Sequence, residues 1–465
     1  MTPLTSYIWG TQTEVLGYLG ADGDVHAMTL LRPAPGDWAS ADLTQAAHAS
    51  TQPKFPNPAA AQVLAGYPFV VLDQHGGVIE DTSHFVYLGL DGNLHQLYAK
   101  GGEPPLKWRD APLPSQTPHG GLSLSGNPTT PLAGYQFVVY NTDDFSLVES
   151  TEHVIYLDKA GSLRELYAAR PGGNWTDHQL PAAAQPLVTD QLTTPIAAYP
   201  FVFYPTLPGT TGVESTEHVI YIDAKNRLHE LYHHAGGGSW RDNLLPGAPL
   251  VTQELTTPLA AYTFWAASDS EGVTEVSEHI IYIGMDGRLH ELYNVRQPNQ
   301  TGWIDVVLPS AEPLITAAQT TPLAGFSFVS ADSSSTSRGD IPVTFVNIDE
   351  CSEHVMYLGA DGNLRELYNV QPGGPGWIDR QLPTKATPLV VRPSFSGPPA
   401  RTTPLSGYSF VVNYQDGSLA ESSMHVLYID DNANLHEMYL IRPGEGDWVD
   451  RNLTTALSVA PPNAT

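Results

Sequence analysis

Three chemically capable residue types recur along this chain in a fixed order. A histidine stands at His84, His153, His218, His279, His354 and His425; a glutamate follows at Glu165, Glu230, Glu291, Glu366 and Glu437; a tryptophan stands at Trp38, Trp108, Trp175, Trp240, Trp303, Trp377 and Trp448. Imidazole and carboxylate hydrogen-bond hydroxyl groups, and an indole face packs on the apolar C–H face of a pyranose, so the set suits a sugar. Taken unit by unit, the complete sets are His153/Glu165/Trp175, His218/Glu230/Trp240, His279/Glu291/Trp303, His354/Glu366/Trp377 and His425/Glu437/Trp448. These are the candidate ligand-binding residues; no catalytic residue and no metal ligand is assigned. A His and a Glu on adjacent strands also pair across a ladder, so each set has a purely structural reading beside the binding one.

The elements that carry them are short strands. His153-Val154-Ile155-Tyr156-Leu157 is β-branched and aromatic and runs into the turn Asp158-Lys159-Ala160-Gly161. Leu163-Arg164-Glu165-Leu166-Tyr167 then alternates, with Leu163, Glu165 and Tyr167 on one face. Apolar run, turn, apolar run predicts a β-hairpin, and Asp-Gly recurs in the same turn at residues 22–23, 91–92, 286–287 and 361–362. A preceding strand starts at Pro131-Leu132-Ala133-Gly134-Tyr135 and its copies, and a last strand follows each tryptophan. Four antiparallel strands repeated seven times describe an all-β, seven-bladed β-propeller.

The whole chain, 1–465, is thus expected to be one propeller domain, with blades at about 1–46, 62–115, 128–182, 192–246, 255–310, 319–384 and 401–455. The histidine intervals exceed the roughly 40–50 residues of a minimal blade, and the Ser-, Asp- and Thr-rich stretch Ser330 to Asp349 is expected as a surface loop. The first blade is expected to pack on the last with no strand exchanged.

Composition excludes whole function classes. Acids outnumber bases 49 to 21, a formal charge of −28, so nucleic acid, whose binding rests on Lys and Arg neutralising phosphates, is not an expected partner. No stretch is long and apolar enough to insert in a membrane. The single cysteine, Cys351, permits no intrachain disulfide, and the N-terminus shows no signal peptide, which suits a cytoplasmic location with non-classical export left open.

On these residues the chain resembles the fungal fucose-specific lectins, whose repeat runs Arg-Val-Tyr-Tyr, a turn, Ile-x-Glu, then a Gly-Trp strand. His153-Val154-Ile155-Tyr156, Leu163-Arg164-Glu165 and Trp175 follow that order. Bacterial seven-bladed lectins of the same class are similar too. The resemblance implies carbohydrate as partner, several sugar sites in clefts between blades, and no cofactor. Where the fungal family has Arg this chain has His, a weaker and pH-dependent donor, which puts fucose itself in doubt. The first unit, with Val15 and Ala27 at the His and Glu positions, is expected to be dead, and the second, with Gln96, altered.

Two other readings stay open. Six equivalent histidines invite a central-channel enzyme with a His-bound metal, although such ligands belong on innermost strands. Propellers also serve as protein-interaction scaffolds. Metalloprotease, P-loop and Gly-x-Ser-x-Gly patterns are absent. The remaining repeated residues are assigned to structure: His95, His229, His290 and His436 to half-exposed surface or inter-blade packing, and Tyr67, Tyr135, Tyr199, Tyr262 and Tyr408 to the core. If the sets bind ligand, His218→Ala is expected to remove one site and spare the fold.

Overall fold

The computed structural model describes residues 4–457, apart from 11–12, 21, 32–37, 51–63, 76, 102–106, 116–130, 142–145, 190–191, 204–213, 269–271, 296–301, 317–318, 339–340, 372–375, 392–400, 414–418 and 443–446. Seven sheets, each of four consecutive antiparallel strands, form a seven-bladed β-propeller. Blade three is representative, with strands Leu132–Tyr140, Leu147–Leu157, Leu163–Ala169 and Thr176–Gln179. The blades span residues 4–42, 64–112, 132–179, 197–244, 260–307, 323–381 and 406–452.

The turn chemistry acts as its residues dictate. In the hairpin between second and third strands, Gly23, Gly92, Gly161, Gly287 and Gly362 have φ of 75–85°, where a Cβ is disfavoured. The Asp at the head of the turn accepts backbone N–H groups, as Asp158 Oδ1 does from Ala160 and Ser162 at 2.9 Å. The repeated Thr-Thr-Pro has a similar duty: the second threonine's hydroxyl accepts the N–H ending the second strand of its own blade, Ile222 to Thr194 at 2.7 Å and Ile283 to Thr257 at 2.6 Å. Two short helices, Leu43–Ser50 and Leu453–Leu457, follow the first and last blades. Asp42 and Asn452 cap them by accepting the N–H of Gln45 and Thr455.

The core lies between blades rather than within them. Seven clusters of buried apolar side chains each straddle one pair of neighbours. On the second strand of blade three, Ile155 and Leu157 pack with Val219 and Tyr221 of blade four, while Val154 and Tyr156 pack with Val86 and Leu88 of blade two. With both faces buried, the strand reads as a continuous apolar run. Blade seven closes on blade one in the same way, through Leu427 and Ile429 against Leu16 and Tyr18. Ser6 and Ser406 hydroxyls meet there at 2.6 Å, and the Tyr408 hydroxyl donates to Glu14 at 2.6 Å.

Two expectations are corrected. Ser330 to Asp349 is not a surface loop: strands Leu323–Arg338 and Ile341–Leu358 continue through it as one long hairpin, paired from Ser330↔Glu350 out to Arg338↔Ile341. Backbone pairing overrides a loop-like composition. Three of the second set of histidines are neither half-exposed nor between blades, while His290 is half-exposed as expected. His95, His229 and His436 are buried, and each bonds inside its own blade to two aspartates, as His436 does to Asp450 at 2.8 Å and Asp430 at 3.2 Å. The strand-two tyrosine donates to the same strand-four aspartate, Tyr428 to Asp450 at 2.7 Å; Arg164 and Arg365 take the histidine's place in blades three and six.

Close packing of the inner strands constrains one glycine. A Cβ on Gly134 would lie 2.5 Å from the Tyr67 ring of the preceding blade, whereas blade four carries Ala198 at the equivalent position. Gly134→Ala is expected to cost about 1–3 kcal/mol of stability as blades two and three are forced apart. Urea denaturation checks it, and an unchanged midpoint would show that the blades slide freely.

Candidate functional site

The second strand carries the histidine toward the next blade. His153 pairs in register with Tyr135 on one side and Tyr167 on the other, and Glu165 sits opposite Ile155, two residues further along the same face. The imidazole lies flat on the Tyr135 ring, centroids 4.8 Å apart and planes 6° off parallel. The same stack recurs with Tyr67, Tyr199, Tyr262, Phe326 and Tyr408. These first-strand tyrosines are buried, and their service is to orient the histidine.

Each histidine bonds the glutamate of its own third strand. The distances are 2.7 Å for His153–Glu165, 2.9 Å for His218–Glu230, 2.8 Å for His279–Glu291, 2.7 Å for His354–Glu366 and 2.9 Å for His425–Glu437. Its other nitrogen meets a hydroxyl two residues back, such as Thr151 at 2.7 Å or Ser423 at 2.7 Å. A second carboxylate then arrives from the following blade. Glu217 lies 3.2 Å from His153, Glu278 2.9 Å from His218, Glu353 3.1 Å from His279, and Glu14 3.5 Å from His425 across the ring closure.

These partner glutamates escape the unit-by-unit grouping, yet the sequence carries a signal for them: Glu precedes His at 152, 217, 278 and 353. The copies also vary together. Where blade one has Val15 instead of histidine, the facing residue of blade two is Ser83, which bonds the Tyr7 hydroxyl at 2.6 Å. Where blade seven has Met424, His354 keeps its own Glu366, which Arg380 also binds.

The tryptophans belong to a different grouping from the one drawn along the sequence. Trp303 Nε1 donates to Glu230 at 3.2 Å, Trp377 to Glu291 at 3.2 Å, Trp448 to Glu366 at 3.2 Å and Trp38 to Glu437 at 3.0 Å. In each case the indole comes from the following blade. The spatial sets are therefore His218/Glu230/Trp303, His279/Glu291/Trp377, His354/Glu366/Trp448 and His425/Glu437/Trp38. Trp240 packs in the cluster between blades three and four; at that interface the outer oxygen of Glu165 is taken by His178 at 2.7 Å. Trp38, assigned to a dead unit, thus completes the last interface, and Trp175 faces blade two.

Charge at these interfaces is set by the pairing. Burial opposes charging His153, but Glu217 and Glu165 outweigh it and push its pKa up to about 9; His218 and His279 are raised to about 9 by the same arrangement. Burial also opposes ionising Glu165, but hydrogen bonds from His153 and His178 hold its pKa at about 2. Glu217 and Glu353 are pushed up to about 7, chiefly by burial. Blade two differs: Gln96 Nε2 donates to His84 Nδ1 at 2.7 Å, and burial, then the Arg170 cation, lower the His84 pKa to about 3. That imidazole is neutral.

A cleft of about 650 Å³ opens between blades two and three. Its lining includes His84, Gln96 and Trp175, the three repeated positions, together with Glu80, Lys100 and Arg170. Arg170 lies over the Trp175 ring at 5.8 Å and donates to Glu152 at 3.0 Å. The central channel offers less chemistry. The innermost strands carry no His, Cys or Glu, and no Asp except Asp332 in the extended part of the blade-six strand. Asp332 apart, those strands therefore offer no His, Cys or carboxylate ligand for a metal on the axis among the described residues.

No protein-family model matches the chain, and no curated protein matches it by sequence. Solved structures do. The lectin BP39L from Burkholderia pseudomallei is 16% identical, with 96% of this chain and 97% of that one aligned at a TM-score of 0.57. The fucose-specific lectin from Aleuria aurantia is 15% identical over 86% of this chain and 96% of that one, and AofleA from Arthrobotrys oligospora 17% identical over 84% and 85%, both at a TM-score of 0.43. The Burkholderia likeness shows a shared fold, so the resemblance to propeller lectins holds at that level; the two lower scores carry no argument.

The pairing has two measurable consequences. His218→Ala leaves Glu230 and Glu278 buried around a vacated cation, so a loss of about 3–5 kcal/mol is expected, in place of a silent effect on folding; calorimetry checks it. Stability should also depend on pH. Histidines raised to about 9 contribute fully below 6.5 and lose that contribution as pH rises through 9, and Glu217 and Glu353, raised to about 7, act in the same direction. Glu165, depressed to about 2, contributes above 4.5 and loses its share as pH falls through 2. The melting temperature is thus expected to decline from about pH 4.5 to 7 as Glu217 and Glu353 ionise, to fall on between pH 6.5 and 9.5 as the histidines lose their protons, and to fall also below pH 4.5; a flat profile from 6.5 to 9.5 would refute the imidazolium assignment.

Proposed function

We propose that the protein binds carbohydrate, without catalysis, in clefts between its blades. The observation that carries this reading is the cleft between blades two and three. The repeated His, Glu/Gln and Trp positions converge there on one open space, with an indole face beside hydrogen-bonding groups. Apolar plane plus a few fixed polar groups is what a pyranose demands. The volume suits a sugar of one or more rings, and the lectin character of the Burkholderia protein of like fold supports the class.

Five of the other six interfaces repeat the arrangement with a carboxylate. At these, Trp240, Trp303, Trp377, Trp448 and Trp38 supply the planar face and Glu165, Glu230, Glu291, Glu366 and Glu437 the acceptor. His153, His218, His279, His354 and His425 act behind them, fixing each carboxylate. Several weak sites on one ring would gain avidity on a multivalent glycan surface. Hydrolysis is disfavoured by the geometry: in the sets around His153, His218, His279 and His425 the two carboxylates and the imidazole offer ligand atoms all within 4.8 Å of one another, whereas glycosidase carboxylates stand about 5–9.5 Å apart with substrate between them.

A glycan array followed by calorimetric titration tests the proposal. The expected result is binding to a defined sugar, competed by the free monosaccharide. Trp175→Ala is expected to weaken the cleft between blades two and three about ten-fold, roughly 1.4 kcal/mol, with little change in melting temperature because the ring is half-exposed. Silence across the array, with a protein partner retained instead, would sink the carbohydrate reading in favour of a scaffold.

A further inference from the structure

We propose that the cleft between blades two and three clasps a neutral vicinal diol between Arg170 and Glu80, and so selects uncharged sugars over acidic or amino sugars. The inference rests on the carbohydrate reading and gives that cleft its own specificity. Glu80 lies near the start of the second strand of blade two, Val78–Leu88, and Arg170 follows the third strand of blade three, Leu163–Ala169. Both line the cavity.

Each of the two presents an unsatisfied group. Arg170 Nη2 donates to Glu152 at 3.0 Å, but its Nε is buried without an acceptor; Glu80 Oε2 is buried without a donor. The residues sit close enough for each charge to favour the other's ionised form, yet no hydrogen bond joins them. A buried donor and a buried acceptor left open in the lining of one cleft call for a ligand carrying both functions. A hydroxyl group both accepts and donates, so adjacent hydroxyls accept from Arg170 Nε and donate to Glu80 Oε2 together.

The surrounding charges exclude the charged alternatives. A sugar carboxylate that reached Arg170 would face Glu80, Asp81 and Glu152; an ammonium that reached Glu80 would face Arg170 and Lys100. The floor agrees, since Gln96 and a neutral His84 replace the carboxylate and imidazolium found around His153, His218 and His279. Arg170 is held for this task by Glu152 beneath it and the Trp175 ring against it.

The test tracks the Trp175 indole N–H signal by NMR, assigned with Trp175→Phe, so that only this cleft is read. The probes are methyl hexopyranosides with and without a vicinal hydroxyl pair, a sugar acid, an amino sugar, and glycine as a zwitterion. The neutral diols are expected to shift the signal saturably, with the deoxy, acidic and amino sugars at least ten-fold weaker. Glu80→Gln, on a half-exposed side chain, and Arg170→Lys, which keeps the charge opposite Glu152, should each weaken the neutral sugar about ten-fold at an unchanged melting temperature. Equal affinity in both variants, or tighter binding of the acid, the amino sugar or glycine, overturns the diol clasp. Sugars that bind the protein without moving Trp175 overturn it too while leaving the carbohydrate reading intact; no sugar binding anywhere defeats that reading itself.

Discussion

A propeller blade has no outside face on its middle strands, so a polar residue there must find its partners within its own blade or across the gap to the next. In this protein the partner across the gap is a second carboxylate. Glu165 from blade three and Glu217 from blade four hold His153 between them, and the pattern passes round the ring until Glu14 reaches His425. Burying an imidazole with one carboxylate would leave charge poorly solvated; two carboxylates and a stacked tyrosine hold the cation in place. Much of the rest depends on this: the angle of each carboxylate, the seat of each indole, and the distance between blades.

That dependence shows in how the copies vary. Blade one has lost both polar residues, Val15 and Ala27, and the neighbour has lost its glutamate to Ser83, so no charge is stranded. Met424 removes the second carboxylate facing His354, and Arg380 compensates on Glu366. An interface that altered one member alone would strand a buried charge. The binding positions are therefore not free to diverge singly, and a cleft that changes does so as a set.

The repeat made the fold legible because hairpin periodicity, Asp-Gly turns and the Thr-Thr-Pro punctuation are all local. Grouping of the site was not local. His153, Glu165 and Trp175 are near in sequence and share a blade, but the indole of a fourth strand leans toward the preceding blade, which places Trp175 by Gln96 and gives Glu437 to Trp38. Sequence distance between those last two is almost the whole chain, and only ring closure brings them together. The buried second histidines were hidden for another reason: alternation puts His436 on the face opposite Glu437, which looks like a solvent face until Tyr428, Asp430 and Asp450 are seen to cover it.

In the cleft between blades two and three an amide stands where five other interfaces have a carboxylate. Gln96 carries no charge, so it cannot hold an imidazolium, and His84 is neutral. Glu152, which still arrives from blade three, would then lack a cation; Arg170 supplies one, and by turning toward Glu152 it brings its guanidinium into the cleft over Trp175. The charge that balances the fold thereby becomes the charge that meets a ligand. One substitution in the third strand thus accounts for a cation at the cleft wall, and that cation, lining the same cleft as Glu80, distinguishes it chemically from the five interfaces that keep the carboxylate.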